Sequence, residues 1–115
     1  MKQDRLADAE KLLVEVVEAR KQLLGVHHPD ALLSMGNLAV VYSSQGRLDD
    51  AEKLLVEVVD TTSSQLGASH HLTLLSLGNL AETYRRQGRD DDARQIEVEV
   101  EQTRNKALVP TTANV

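Results

Sequence analysis

Leu32, Met35, Leu38, Ala39 and Tyr42 follow one another at spacings of three, three, one and three. That is one apolar stripe of an α-helix. Leu74, Leu77, Leu80, Ala81 and Tyr84 repeat it. A second helical pattern runs through Ala51, Leu54, Leu55, Val58 and Val59. The Val-Glu-Val-Val segments have β propensity, but their flanks keep the helical period, so no strand is expected. Gly46 and Gly88 follow Gln45 and Gln87 and suit the left-handed residue that ends a helix. Gly25 and Gly67 end the longer helices in the same way. Pro29 and Asp30 open the next helix, and Ser69 is the expected cap where proline is absent. Asp49 with Glu52 reads as a capping box. The spacing predicts five helices, at about 4–24, 30–45, 49–66, 72–87 and 90–107.

The chain also repeats itself. Ala9 to Val17 reads AEKLLVEVV, and Ala51 to Val59 reads it again, 42 residues later. The same offset relates SMGNLAVVYSSQGRLDDA, from Ser34, to SLGNLAETYRRQGRDDDA, from Ser76. A period of this length means a solenoid of stacked units rather than a closed globule. The expected organisation is one array over 1–108: a half repeat 1–25, then repeats 26–67 and 68–108. The segment 109–115, past Pro110, is expected to be a frayed tail.

Composition narrows the function. The 115 residues are 41% apolar and 27% charged, ordinary for one soluble domain. The absence of cysteine excludes disulfides, thiol catalysis and cysteine-ligated zinc. A formal charge of −5 argues against a nucleic-acid binder, and Tyr42 and Tyr84 alone make no base-stacking platform. No apolar run is long enough to span a membrane, and residues 1–10 lack a signal-peptide core, so a cytoplasmic protein is expected. His27-His28 and His70-His71 are the only candidates for metal or proton chemistry. Their loops should lie on the order of 20 Å apart across two helix layers, whereas zinc holds its ligands at ~2.1 Å. A role in the loops and helix starts is expected instead. Asp30, near His28, has no third partner for a triad. No catalytic residue, metal or other cofactor is expected.

The residues resemble a known family. Asn37-Leu38-Ala39, Tyr42, Gln45-Gly46 and Ala51 resemble the tetratricopeptide repeat signature, and Asn79-Leu80-Ala81, Tyr84, Gln87-Gly88 and Ala93 match it again. The 42-residue spacing and the Leu24 to Asp30 stretch are similar to the long repeat of kinesin light chains and of NLR-like signalling ATPases. The phrasing EARKQLLGVHHPDALLSMGNLA is most similar to the tails of fungal NLR-like proteins. The resemblance implies an all-α, right-handed solenoid of antiparallel helix pairs, the first helix of each pair lining a concave groove. It places Leu33, Gly36, Asn37, Val40, Ser43 and Ser44 in that groove, followed by Leu75, Gly78, Asn79, Glu82, Arg85 and Arg86. It further implies that Asn37 and Asn79 hydrogen-bond the backbone of a bound peptide; bracing of neighbouring helices stays open as the alternative. Gly36 and Gly78 sit mid-helix, where close helix packing is expected and open space for a ligand is the alternative. Arg85 and Arg86, with Arg89 nearby, suit a carboxylate on a partner or a solvated helix end.

The two ends differ. From Asp90 to Glu101 six acids face one arginine, and Glu97 and Glu101 stand where the preceding unit has Leu55 and Val59. A polar outer face of this kind terminates an array. Leu6, Ala9, Leu13 and Val17 belong to a helix whose usual partner is missing, leaving an apolar flank. That flank predicts either the C-terminal piece of a longer array or a homodimer through the open N-terminal helix. The expected function is a non-catalytic scaffold that binds a protein or peptide in its groove. The alternative is a self-associating segment of a larger NLR-like signalling ATPase.

Overall fold

The computed structural model describes residues 2–108. They form α1 (Lys2–Leu24), α2 (Pro29–Ser44), α3 (Leu48–Leu66), α4 (His71–Arg86) and α5 (Asp90–Leu108). There is no strand among the described residues. The expected tail 109–115 lies outside them.

Both short helices start on a histidine. His28 Nδ1 accepts from the Asp30 N–H at 3.1 Å, and His70 Nδ1 accepts from the Leu72 N–H at 3.1 Å. An imidazole in this position does what Ser or Asp usually does, satisfying one of the unpaired N–H groups of the first turn. Ser69 is therefore not the cap, and His28 and His70 have a structural role. The expected capping box at Asp49 is also absent. Arg47 is the N-cap of α3, without a side-chain cap bond, and Asp50 pairs with Arg47 instead. Gly46 and Gly88 have φ of +81° and +80°. They let the chain turn so that the N–H groups of Arg47 and Arg89 reach back to the carbonyls of Tyr42 and Tyr84 at 2.8 Å.

Consecutive helices pack side by side along the chain, and α2 also touches α4. Among the described residues α1, α3 and α5 make no equally close approach to one another. The row containing α2 and α4 is thus the tighter one, so the array curves with α2 and α4 inside. The molecule is elongated, 58 × 37 × 19 Å. Its core is two clusters rather than one. Val17, Leu32, Met35, Leu38 and Val58 join α1, α2 and α3, while Ala39, Ala51, Leu55 and Leu80 join α2, α3 and α4. Tyr42 and Leu54 pack against both. Ala39 and Ala51 have no exposed surface, which lets the helix backbones approach closely. Buried hydroxyls close on main-chain carbonyls of their own helices, as with Thr62 on Val58 and Thr83 on Asn79.

Candidate partner-binding groove

The inner face of α2 and α4 carries two adjoining clefts. The first is lined by Leu33, Gly36, Asn37, Leu75 and Asn79, with Val58 and Thr62 of α3 behind them. The second is lined by Val40, Ser43, Ser44, Asn79, Glu82 and Arg86. Asn79 belongs to both, so they form one continuous groove. Their volumes are about 30 and 180 Å³. Enclosed sites for cofactors and small ligands run to about 300–1,000 Å³. This shallow surface suits an extended chain or another protein better than a cofactor.

Helical spacing explains the convergence. Leu33, Asn37, Val40 and Ser44 step along α2 by four, three and four, and Leu75, Asn79, Glu82 and Arg86 do the same along α4. Leu33, Val40 and Leu75 remain 41%, 47% and 45% exposed, although a Leu or Val in the interior of this fold is almost wholly covered. A Cβ added to Gly36 would meet nothing within 4 Å, and the same holds at Gly78. This corrects the close-packing expectation. Each glycine leaves room rather than permitting contact. Gly36 opens onto the groove, and Gly78 onto the outer cleft between α4 and α5.

The cations divide. Arg86 reaches across from α4 to donate to the Ser43 hydroxyl of α2 at 2.5 Å, inside the groove. Arg85, expected beside it, instead forms an ion pair with Glu97 of α5. A hydrogen bond to that carboxylate holds the Arg85 guanidinium charged. Arg89 is not available to a partner either: it pairs with Glu52 at 2.9 Å and Asp92 at 3.0 Å and lies over the Tyr84 ring at 4.1 Å. The reason is topological. Adjacent positions on a helix point about 100° apart, and here that turns Arg85 toward α5 and Arg86 toward α2.

Sequence reasoning missed the joint between units. Glu10 of α1 accepts from Gln45 Nε2 and from Arg47 Nη1, both at 2.9 Å. Forty-two positions on, Glu52 of α3 accepts from Gln87 at 3.0 Å and from Arg89 at 2.9 Å. Arg47 lies over Tyr42 at 4.4 Å, as Arg89 does over Tyr84. The Gln-Gly-Arg turn of each unit thus clamps the outer helix of the unit before it. The hydrogen bonds from Gln45 and Arg47 hold the Glu10 carboxyl below the usual carboxylate range. Burial pushes the Tyr84 hydroxyl up. The signal was present in the recurrence of Gln, Arg and Glu at one period, but only the fold shows that they meet.

The N-terminal expectation is also corrected. Val17 is only 4% exposed and sits in the first core cluster, with Leu13 packed against it. Leu6 and Ala9 are half-buried. These four residues face into the array. Leu12 and Leu23, at 61% and 82%, are left bare, as are Val14 and Leu24 at 38% and 44%.

The tetratricopeptide repeat family model matches residues 1–64 and 44–106. The chain belongs to the tetratricopeptide repeat family. Solved structures of nearly identical TPR-like repeats from a Podosopora anserina protein assigned to the kinesin light chains share the fold. One matches at a TM-score of 0.83 and 28% identity, covering 95% of this chain and 52% of that one. A single-substitution variant of it matches at 0.82 and 29%, covering 93% and 50%. The chain thus spans about half the length of these relatives. No curated protein matches it. Tetratricopeptide repeats generally mediate protein–protein contacts and are scaffolds rather than catalysts. No described helix is long and apolar enough to cross a membrane.

Proposed function

We propose that the groove between α2 and α4 binds an extended peptide or a partner's surface without catalysis. The observation that carries the reading is the continuous run of exposed Leu33, Val40 and Leu75 around Asn37 and Asn79, with Gly36 leaving the floor open. Asn37 and Asn79 each offer one acceptor and two donors, suited to the backbone of an extended chain. The leucines supply apolar contact, and Ser44, Glu82 and Arg86 form the polar end. Arg85, engaged with Glu97, has no part in it. The proposed setting is cytoplasmic, and the proposed partner is protein rather than nucleic acid.

The test is a selection from a random peptide library against the whole chain, followed by variants. Asn79→Ala should weaken the selected peptides about tenfold, the scale of one or two lost hydrogen bonds, with helicity unchanged. Gly36→Ala should weaken them too, while raising stability by about 0.5–1 kcal/mol because a mid-helix glycine is replaced without a clash. Peptides that bind both variants as tightly as the parent would sink the groove assignment. A second reading, the repeat tail of a larger NLR-like signalling ATPase, is supported by the phrasing of residues 18–39 and by the bare side of α1.

A further inference from the structure

The floor of the first cleft carries two hydroxyls, and neither has a proton to offer. Thr62 donates to the Val58 carbonyl at 2.8 Å, and Ser76 donates to the Leu72 carbonyl at 2.8 Å. Each closes on its own helix, four residues back. The rest of the floor is Leu32 and Val58, both almost wholly buried. A carboxylate or carbonyl lowered onto this floor would lose its water and gain no donor. An alkyl group loses nothing by leaving water.

The rim has the opposite character. Asn37 is exposed and Asn79 half-buried. Among the described residues neither side-chain amide makes a hydrogen bond, whereas bracing of neighbouring helices would have engaged them. Free amides above an apolar floor suit a peptide whose main chain crosses the rim and whose side chain points down. The second cleft takes no such side chain, because Arg86 crosses it to the Ser43 hydroxyl.

Size selects the side chain. The space over the floor is about 30 Å³. A single water needs about 10–15 Å³, so ~two groups of methyl size fit and an aromatic ring does not. Gly36 sets this limit. A Cβ there would meet nothing within 4 Å and would itself take up part of the space.

We infer that the first cleft is a socket for one short branched aliphatic side chain, of valine size, on an extended peptide held by Asn37 and Asn79. This rests on the proposed groove and adds the residue that the groove selects.

The experiment takes the tightest peptide selected from the random library against the whole chain. Its most sensitive apolar position is changed to alanine, valine, leucine or phenylalanine, and affinity is read by calorimetry. Valine should bind best. Alanine should bind about tenfold more weakly, the worth of two methyl groups leaving water. Phenylalanine should lose more than about tenfold, because it overfills the socket. Gly36→Ala should abolish the preference for valine over alanine. Gly78→Ala adds the same methyl at the matching position of α4, facing the outer cleft, and should leave the preference intact. Neither methyl meets a neighbour, so both variants fold. Phenylalanine bound as tightly as valine, a preference that survives Gly36→Ala, or an equal loss in Gly78→Ala would each overturn the socket. If the same peptides still weaken on Asn79→Ala, the groove stands and the socket alone falls. Peptides indifferent to both Asn79→Ala and Gly36→Ala would remove groove and socket together.

Discussion

α1 and α5 hold the same place in different repeat units, at the two ends of the described residues, yet their outer faces differ. At the α5 end, the residue matching Leu55 is Glu97. Leu55 is fully buried beneath Leu80 of α4; Glu97 is exposed and paired with Arg85. The cleft beside them is lined by Leu74, Gly78, Ile96, Val100 and Arg104, of which Leu74, Gly78, Val100 and Arg104 match Leu32, Gly36, Val58 and Thr62 of the cleft that α4 borders one unit earlier. Here it has a glutamate at its edge and an arginine in place of Thr62. The clamp changes as well. Glu10 and Glu52 accept the Gln-Gly-Arg turn of the following unit, whereas the third member of that series is Arg94. An arginine there would meet an arginine. At the α1 end the opposite substitutions appear, with Ala19 and Leu23 in place of polar residues. The α5 end is thus polar where the interior is apolar, and the α1 end is apolar where the interior is polar.

Exchange of residues between the end and the interior tests this contrast most severely. Leu55→Glu would bury a carboxylate among Ala39, Ala51 and Leu80, and should cost more than about 4 kcal/mol. Loss of the cooperative thermal transition by circular dichroism is the expected result; a transition near that of the parent would show that the interior tolerates what the end carries. His70→Ala removes the α4 cap and should cost about 0.5–2 kcal/mol, as should His28→Ala at α2, both measured by denaturant midpoint. The reverse exchange, Glu97→Leu, breaks only an exposed pair and should change stability by less than about 1 kcal/mol. It should instead raise the tendency to associate through α5, and an unchanged mass profile would mean that Glu97 does not guard that end.

The smallest effect concerns the clamp and pH. Glu10 is held below the usual carboxylate range by Gln45 and Arg47. Its contribution is therefore complete above that range and is lost as the pH falls through its lowered value. Glu10→Gln should lower the melting temperature slightly at pH 7, by no more than about 1 kcal/mol equivalent for a partly exposed pair. The gap from the parent should close in acid. A gap that persists at low pH would mean that shape rather than charge holds the joint.

Most of the fold was readable along the chain because each helix is specified locally. The stripe Leu32, Met35, Leu38, the glycines at +80° and the duplicated AEKLLVEVV act over a few residues, and periodicity carries them. The groove was readable as a set, since Leu33, Asn37, Val40 and Ser44 share a face by spacing alone. The failures have one cause. Residue type and position suggest roles for Arg85, Arg89, Ser69, Leu13 and Val17, but their actual roles depend on which neighbour they meet. Arg85 and Arg86 are adjacent in sequence and serve different surfaces.

What the sequence determined alone was the helix, the period and the identity of the repeated unit, because those follow from spacing and backbone preference within a turn or two. Only the tertiary structure decided which side of each helix is covered. It set the bare side of α1 at Leu12 and Leu23 rather than Leu13 and Val17, and it joined Glu10 to Arg47 across 37 positions. Burial and pairing are relations between elements, and a periodic pattern fixes the direction of a side chain without fixing what lies there.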